Sequence, residues 1–124
     1  MADLTFYKAT GQLVGFGQTW SARSNGSNFA ALASKTYKVP PNALMTGTEK
    51  GTNVPYDSKY GQSPFRDKMG LGWFLWLGEA NLGIHPDGNL PGTEGCIGIT
   101  DPNTKDLYDL LKQHSGSGMT VEVR

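Results

Sequence analysis

The stretch Gly83-Ile84-His85-Pro86-Asp87-Gly88-Asn89-Leu90-Pro91-Gly92-Thr93-Glu94-Gly95-Cys96-Ile97-Gly98-Ile99 decides how this chain is read. It carries the only cysteine and one of the two histidines of a 124-residue sequence. Ile84 on one side, and Ile97 with Ile99 on the other, read as strand ends around a loop rich in Gly, Pro, Asp and Asn. Loops of that composition fold back on themselves. Such a fold brings His85 and Cys96 together on a sheet, where side-chain geometry is easier to hold than on a loop. A thiol becomes a good nucleophile near neutral pH only beside a base or a cation. Cys96 is therefore the candidate nucleophile and His85 the candidate base. Gly95 has no Cβ to keep backbone N–H groups away from a reacting carbonyl. The competing reading has no chemistry in it: a lone cysteine commonly packs as a small hydrophobe.

Working outward, residues 72–77 form the strongest strand signal, almost wholly apolar and so buried on both faces. Residues 81–84 should be the next strand, with His85 at its end. Residues 97–99 continue the sheet from the nucleophile. Asp101 can N-cap a helix with Pro102 at its first position. Leu107, Leu110 and Leu111 then make an apolar face at helical spacing. Gly116 and Gly118 end the helical region, and Val121 and Val123 alternate in a last strand. Toward the N-terminus, residues 4–7 and 13–20 read as the two arms of a hairpin turning at residues 9–12. Residues 21–28 read as loop, 29–33 as either a helical turn or a strand, and Pro40-Pro41-Asn42 as a rigid break. Residues 47–64 contain Gly, Pro, Asn, Asp and Ser throughout without apolar periodicity. A long loop of this kind is a candidate lid or wall for a site. Trp73 and Trp76, alternating with Phe74 along a strand, read as core rather than as a carbohydrate platform.

Composition narrows the function classes. Eleven basic residues balance eleven acidic ones, which removes the electrostatic case for nucleic acid or an anionic membrane surface. One cysteine allows neither an internal disulfide nor a cysteine-based metal cluster. Two histidines far apart, without HExxH-like spacing, do not make a zinc site. No cofactor is implied. Seventeen glycines point to short strands and turns rather than a helical bundle. No apolar run is long enough to cross a bilayer. The N-terminus shows no basic region followed by an apolar run, so the expectation is synthesis in the cytoplasm without a signal peptide.

Thr93-Glu94-Gly95-Cys96-Ile97 resembles the Ser/Thr-His-Gly-Cys signature of the L,D-transpeptidase catalytic domain, the YkuD-like family. His85 matches the upstream histidine of the longer motif. Residues 100–111, the Ser115-Gly116-Ser117-Gly118 turn and residues 119–123 match the helix, turn and final strand that follow the cysteine in that family. The resemblance covers residues 72–124; the first half shares strand-like character only. It implies a mainly β fold, a YkuD-like β-sandwich or barrel with one short helix after the catalytic cysteine. Residues 1–124 would form a single catalytic domain. The sequence departs from the family at four points. Glu94 stands where a second histidine is usual, Pro86 where many members have Ser or Gly, the motif loop is short, and Cys96 is followed by Ile97-Gly98 without the basic residue many members carry. The shortened form resembles L,D-transpeptidase-like toxins delivered by type VI secretion systems. That likeness implies a cognate immunity protein and a secretion apparatus as partners, and action in the periplasm of a target cell after export.

The resemblance also implies roles. Cys96 attacks a peptide carbonyl of a peptidoglycan stem tetrapeptide, between meso-diaminopimelate and the terminal D-alanine, to give a thioester. His85 is the base, oriented by the backbone carbonyl of Pro86. The backbone N–H groups of Gly95 and Cys96 form the oxyanion hole, and Thr93 holds the loop. Water as acceptor makes an L,D-carboxypeptidase; a D-amino acid or a second stem makes an L,D-transpeptidase. Glu94, Asp87 and Arg66 are candidate substrate contacts. Against them stand a solvated loop carboxylate, an Asp bonded to its own backbone in a Pro-Asp-Gly turn, and an ordinary surface base. Two other readings compete: a different cysteine peptidase or amidase of the cell wall, and a non-catalytic binding or structural module on the same fold.

Overall fold

A computed structural model of the chain describes residues 2–24, 33–46, 67, 69, 71–79, 82–86 and 97–124. Among these residues, nine strands form one continuous sheet. They are β1 Leu4–Tyr7, β2 Gln12–Gly15, β3 Gln18–Arg23, β4 Thr36–Val39, β5 Leu44–Thr46, β6 Trp73–Trp76, β7 Gly83–Pro86, β8 Ile97–Ile99 and β9 Met119–Val123. A helix, α1, spans Lys105–His114 and ends in a tighter 3-10 turn at Ser115–Ser117. None of the helices among the described residues is long and apolar enough to cross a membrane.

Strand order is β4-β9-β1-β2-β3-β8-β7-β6-β5. The two outermost strands, β4 and β5, follow each other in the chain with only residues 40–43 between them. Nine strands laid flat at about 4.8 Å spacing would hold their edges roughly 38 Å apart. Residues 40–43 reach less than about half of that. The sheet must therefore curl until its edges approach, which makes it a nearly closed barrel. The closure is visible in contacts. Lys35, just before β4, is ion-paired with Glu79 in the β6–β7 connection. The backbone oxygen of Lys38 lies so close to Gly78 that no Cβ would fit there, and Gly78 takes φ +88°.

The barrel is built from two sets of strands that share β3. Residues of β3 up to Ser21 pair with β2, whereas Ala22 and Arg23 pair with Ile99 and Gly98 of β8. Asp101 clamps this handover: its Oδ2 accepts the Ser21 N–H at 3.2 Å, while the Thr100 N–H donates to Ser21 O at 2.9 Å. The C-terminal strand β9 inserts between β4 and β1, antiparallel to the first and parallel to the second. The main core gathers Leu4, Phe6, Leu13, Trp20, Leu75, Ile84, Ile97 and Ile99 with Leu107 and Leu111 of α1. Leu110 and Tyr108 pack against its margin.

Several local expectations need correction. Residues 13–20 are two strands, not one arm of a hairpin. Phe16 and Gly17 both take positive φ, 52° and 75°, and the register pairs Gly15 with Gln18. That is a two-residue turn whose backbone twist suits a right-handed hairpin. Residues 21–23, expected as loop, belong to β3. β4 and β5 occupy segments with no expected strand. α1 begins later than Asp101 would have it: Thr104 O accepts the Tyr108 N–H at 2.9 Å, so Thr104 is the residue at the cap. Asp101 was free to serve β3 because a buried carboxylate, Asp67, tends Thr104 instead. Asp67 Oδ2 accepts both the N–H and the hydroxyl of Thr104 at 2.8 Å. The ambiguous residues 29–32 and the candidate lid at 47–64 lie outside the described residues.

Candidate functional site around His85

His85 is the third of the four residues of β7. β7 is buried along its whole length. It runs antiparallel to β6, with Leu75 opposite Ile84 and Trp76 opposite Gly83. It runs parallel to β8, with Ile84 beside Ile97, His85 beside Gly98 and Pro86 beside Ile99. Successive side chains of a strand point to opposite faces. Ile84, Leu75, Ile97 and Ile99 all join the main core, so His85 is directed to the other face. Gly98 is its β8 neighbour on that face, and Gly83, two residues back on β7, shares it. The antiparallel pairing with β6 runs as far as Ile84. Pro86, with no N–H to donate, sits past that point, where its lack of a donor breaks no pairing with β6.

His85 is only 3% exposed. Its Nδ1 lies 2.7 Å from the backbone oxygen of Pro86. A carbonyl oxygen can only accept, so this contact assigns the proton to Nδ1 and leaves the lone pair of the neutral ring on Nε2. The tautomer follows from the partner rather than from a visible hydrogen. An imidazole held in this state carries its basic lone pair on Nε2 and has its plane restrained through Nδ1. On the β6 side stands Phe74, also fully buried. Its ring lies at an interplanar angle of 14° to the imidazole, with centroids 6.1 Å apart. Trp73, expected in the core, joins it, and Trp76 packs against it partly buried.

A second buried polar group was not foreseen. Asp67, 5% exposed, stands in the sequence between Arg66, the candidate substrate contact, and Lys68. Its Oδ1 accepts the N–H groups of Met69 and Leu71 at 2.9 and 3.0 Å. Its Oδ2 serves Thr104 as described, and the Thr104 hydroxyl in turn accepts the indole N–H of Trp73 at 2.9 Å. The carboxylate thus ties Met69 and Leu71, the start of α1 and β6 together. A negative group also favours a helix N-terminus. An aspartate between two basic residues gives no sequence signal of such a role. The other histidine, His114, is exposed at the end of α1 and stacks on Phe16 with centroids 4.6 Å apart. Arg66, Asp87, Thr93, Glu94, Gly95 and Cys96 lie outside the described residues. Among the described residues, no group of three His, Cys, Asp or Glu side chains could hold a metal ion.

Comparison of the whole fold with solved structures gives the same architecture each time. The chain superposes on the crystal structure of Mycobacterium tuberculosis L,D-transpeptidase 1 with a TM-score of 0.57 at 12% identity. It does so on the NMR structure of the catalytic domain of E. faecium L,D-transpeptidase acylated by ertapenem, with a TM-score of 0.57 at 15% identity. The NMR structure of the same E. faecium catalytic domain gives 0.55 at 17% identity. The fold is that of the L,D-transpeptidase catalytic domains. The match takes in 100% of this chain and 98% of the E. faecium domain. The chain spans 59% of the mycobacterial structure while 98% of it is covered. No family sequence model matches the chain, and no curated protein matches it in sequence. The L,D-transpeptidase likeness is thus carried by the barrel with its single described helix, in which the sequence expectation of a mainly β sandwich or barrel is met.

Proposed function

We propose that this protein is a cysteine acyltransferase acting on peptidoglycan stem tetrapeptides, with Cys96 as nucleophile and His85 as base. The observation that carries the reading is the state of His85 inside an L,D-transpeptidase fold. The ring is buried, its Nδ1 is held by Pro86 O, and its Nε2 keeps a lone pair. Cys96 is joined by one peptide bond to Ile97, and Ile97 pairs with Ile84, the residue that precedes His85. The reaction then runs in two halves. Nε2 of His85 takes the thiol proton as sulfur attacks the carbonyl of the diaminopimelate residue. The N–H groups of Gly95 and Cys96 stabilise the oxyanion. Collapse expels D-alanine, whose amine takes the proton back from His85, and leaves a thioester on Cys96. Water or the amine of a D-amino acid or second stem attacks the thioester, again giving its proton to His85. Departing thiolate recovers that proton. Water gives an L,D-carboxypeptidase, an amine an L,D-transpeptidase. Thr93 would hold the motif loop, and Glu94, Asp87 and Arg66 would meet the charged ends of the stem peptide.

The likeness of the shortened Thr93-Glu94-Gly95-Cys96 motif to type VI effectors supports a setting. In it the protein acts in the periplasm of a target cell, with a secretion apparatus and an immunity protein as partners. Trimming donor stems, or capping them with D-amino acids, would stop crosslinking there.

The test is mass spectrometry of purified muropeptides incubated with wild type and with Cys96→Ala, with and without a D-amino acid. The expected result is loss of D-alanine from tetrapeptides, or its exchange, by wild type alone. Unchanged muropeptides with a folded wild type would favour the binding-module reading.

A further inference from the structure

The face of the sheet that carries His85 is covered at β7 and open at β3. His85 lies beside Gly98 of β8, and Gly98 lies opposite Arg23, the last residue of β3. Residues paired across neighbouring strands direct their side chains to the same face. The other face agrees with this register: Ala22 pairs with Ile99, and both are buried in the main core. Arg23 therefore shares the His85 face, with a glycine at the position between them. Two strand spacings set the two Cα atoms about 10 Å apart. Gly98 is buried, whereas Arg23 and Ser21 are exposed, so the margin of the covered region falls between β8 and β3. Arg23 is also the only Lys, Arg, Asp or Glu in β3, β5, β6, β7 and β8.

The end of β3 is held by more than its pairing with β8. Asp101 and Thr100 both bond Ser21, and the Ala22 N–H donates to Gly11 O at 2.9 Å. The imidazole and the cation thus stand at a fixed separation on either side of a strip without side chains. An extended peptide advances about 3.5 Å per residue. A carboxylate one residue beyond the bond that His85 serves falls within the span between the two side chains.

We infer that Arg23 is a specificity-determining residue that binds the terminal carboxylate of the donor peptide. This inference rests on the proposed reading of His85 as base in a reaction at the penultimate residue of a stem tetrapeptide. The terminal carboxylate is the one separated from the reacting carbonyl by a single residue. A guanidinium presents five N–H donors in a planar fork that pairs with both oxygens of a carboxylate. It can do so while its remaining donors keep a contact with the protein. Recognition of the free end would confine cleavage to the last residue of the stem.

The experiment compares wild type, Arg23→Gln and Arg23→Lys on two donors, a stem tetrapeptide with a free terminal carboxylate and the same peptide ending in a carboxamide. The expected result is a rise in KM of at least about tenfold for the free acid in Arg23→Gln. The kcat should change far less, since the contact is made in ground state and transition state alike. The carboxamide donor should show the same KM in wild type and in Arg23→Gln. Arg23→Lys should recover part of the loss, because an ammonium keeps the charge without the fork. Amide exchange along β3 and β8 checks that each variant keeps the sheet. Equal losses on the two donors overturn the inference, since the cation would then hold another group of the stem peptide or only β3 itself. So does an unchanged KM for the free acid in a folded Arg23→Gln. A wild type that turns over neither donor defeats the reading of the site, and the inference falls with it. Normal turnover by wild type with no effect of Arg23→Gln defeats only the carboxylate contact.

Discussion

The two sets of strands that share β3 bury their residues in different ways. In the first set, β1, β4 and β9 alternate. Leu4 and Phe6, Tyr37 and Val39, and Met119, Val121 and Val123 are buried, while the residues between them are partly or fully exposed. In the second set alternation disappears. Every residue of β7 and β8 is buried, and so is β6 except for Trp76. Parallel pairing is not the cause, although parallel strands are commonly covered on both faces. β1 and β9 are also parallel, and they alternate. The difference is that the second face of β6–β8 is covered rather than solvated, and this is the face that carries His85 and Phe74. A sheet face that would otherwise meet water has become the place where one imidazole is desolvated and oriented.

That contrast can be broken by substitution. Ile97→Ala should cost about 2–5 kcal/mol, the range for truncating a fully buried aliphatic side chain. Thr36→Ala, at an exposed position of β4, should change stability by no more than about 0.5 kcal/mol. Urea unfolding measures both, and equal losses would remove the distinction between the two sets. Asp67→Asn should come next, at about 2–4 kcal/mol. An amide has one acceptor oxygen where the carboxylate has two, so one pair of donors, on Thr104 or on Met69 and Leu71, would face another donor. Its effect belongs to the junction of β6 with α1. It should shift the urea midpoint more than any substitution on the exposed face of β4. Gly17→Ala should cost less than Asp67→Asn. With φ at 75°, a Cβ costs about 1–2 kcal/mol in backbone strain, although open space surrounds it. The loss should leave the second set untouched, with amide exchange in β7 and β8 unchanged relative to global stability.

What could be read in advance divides along the same physical line. β1, β6, β8, β9 and the Leu107–Leu111 face of α1 are local patterns of apolar residues, and local patterns are legible. The Phe16–Gly17 turn was hidden because phenylalanine rarely takes positive φ; its flanking Gly15 and Gly17 were the available signal. β4 owes its place to pairing with β9, far along the chain, and Pro40-Pro41 masked its alternation. Asp67 and Thr104 meet only through the tertiary fold, so neither the buried carboxylate nor the late start of α1 could be read from neighbours in sequence. His85 was legible as a candidate through its proximity to the one cysteine. The coverage of its sheet face depends on register and was not.

The most direct test of the central claim is the rate of alkylation of Cys96 by iodoacetamide as a function of pH, in wild type and in His85→Ala. The protein has a single thiol, so the modified mass reports one site. An unassisted thiol titrates near about 8.5. The account predicts fast reaction of wild type well below that pH, and a return to the ordinary thiol profile in His85→Ala. Identical profiles in the two folded proteins would contradict it.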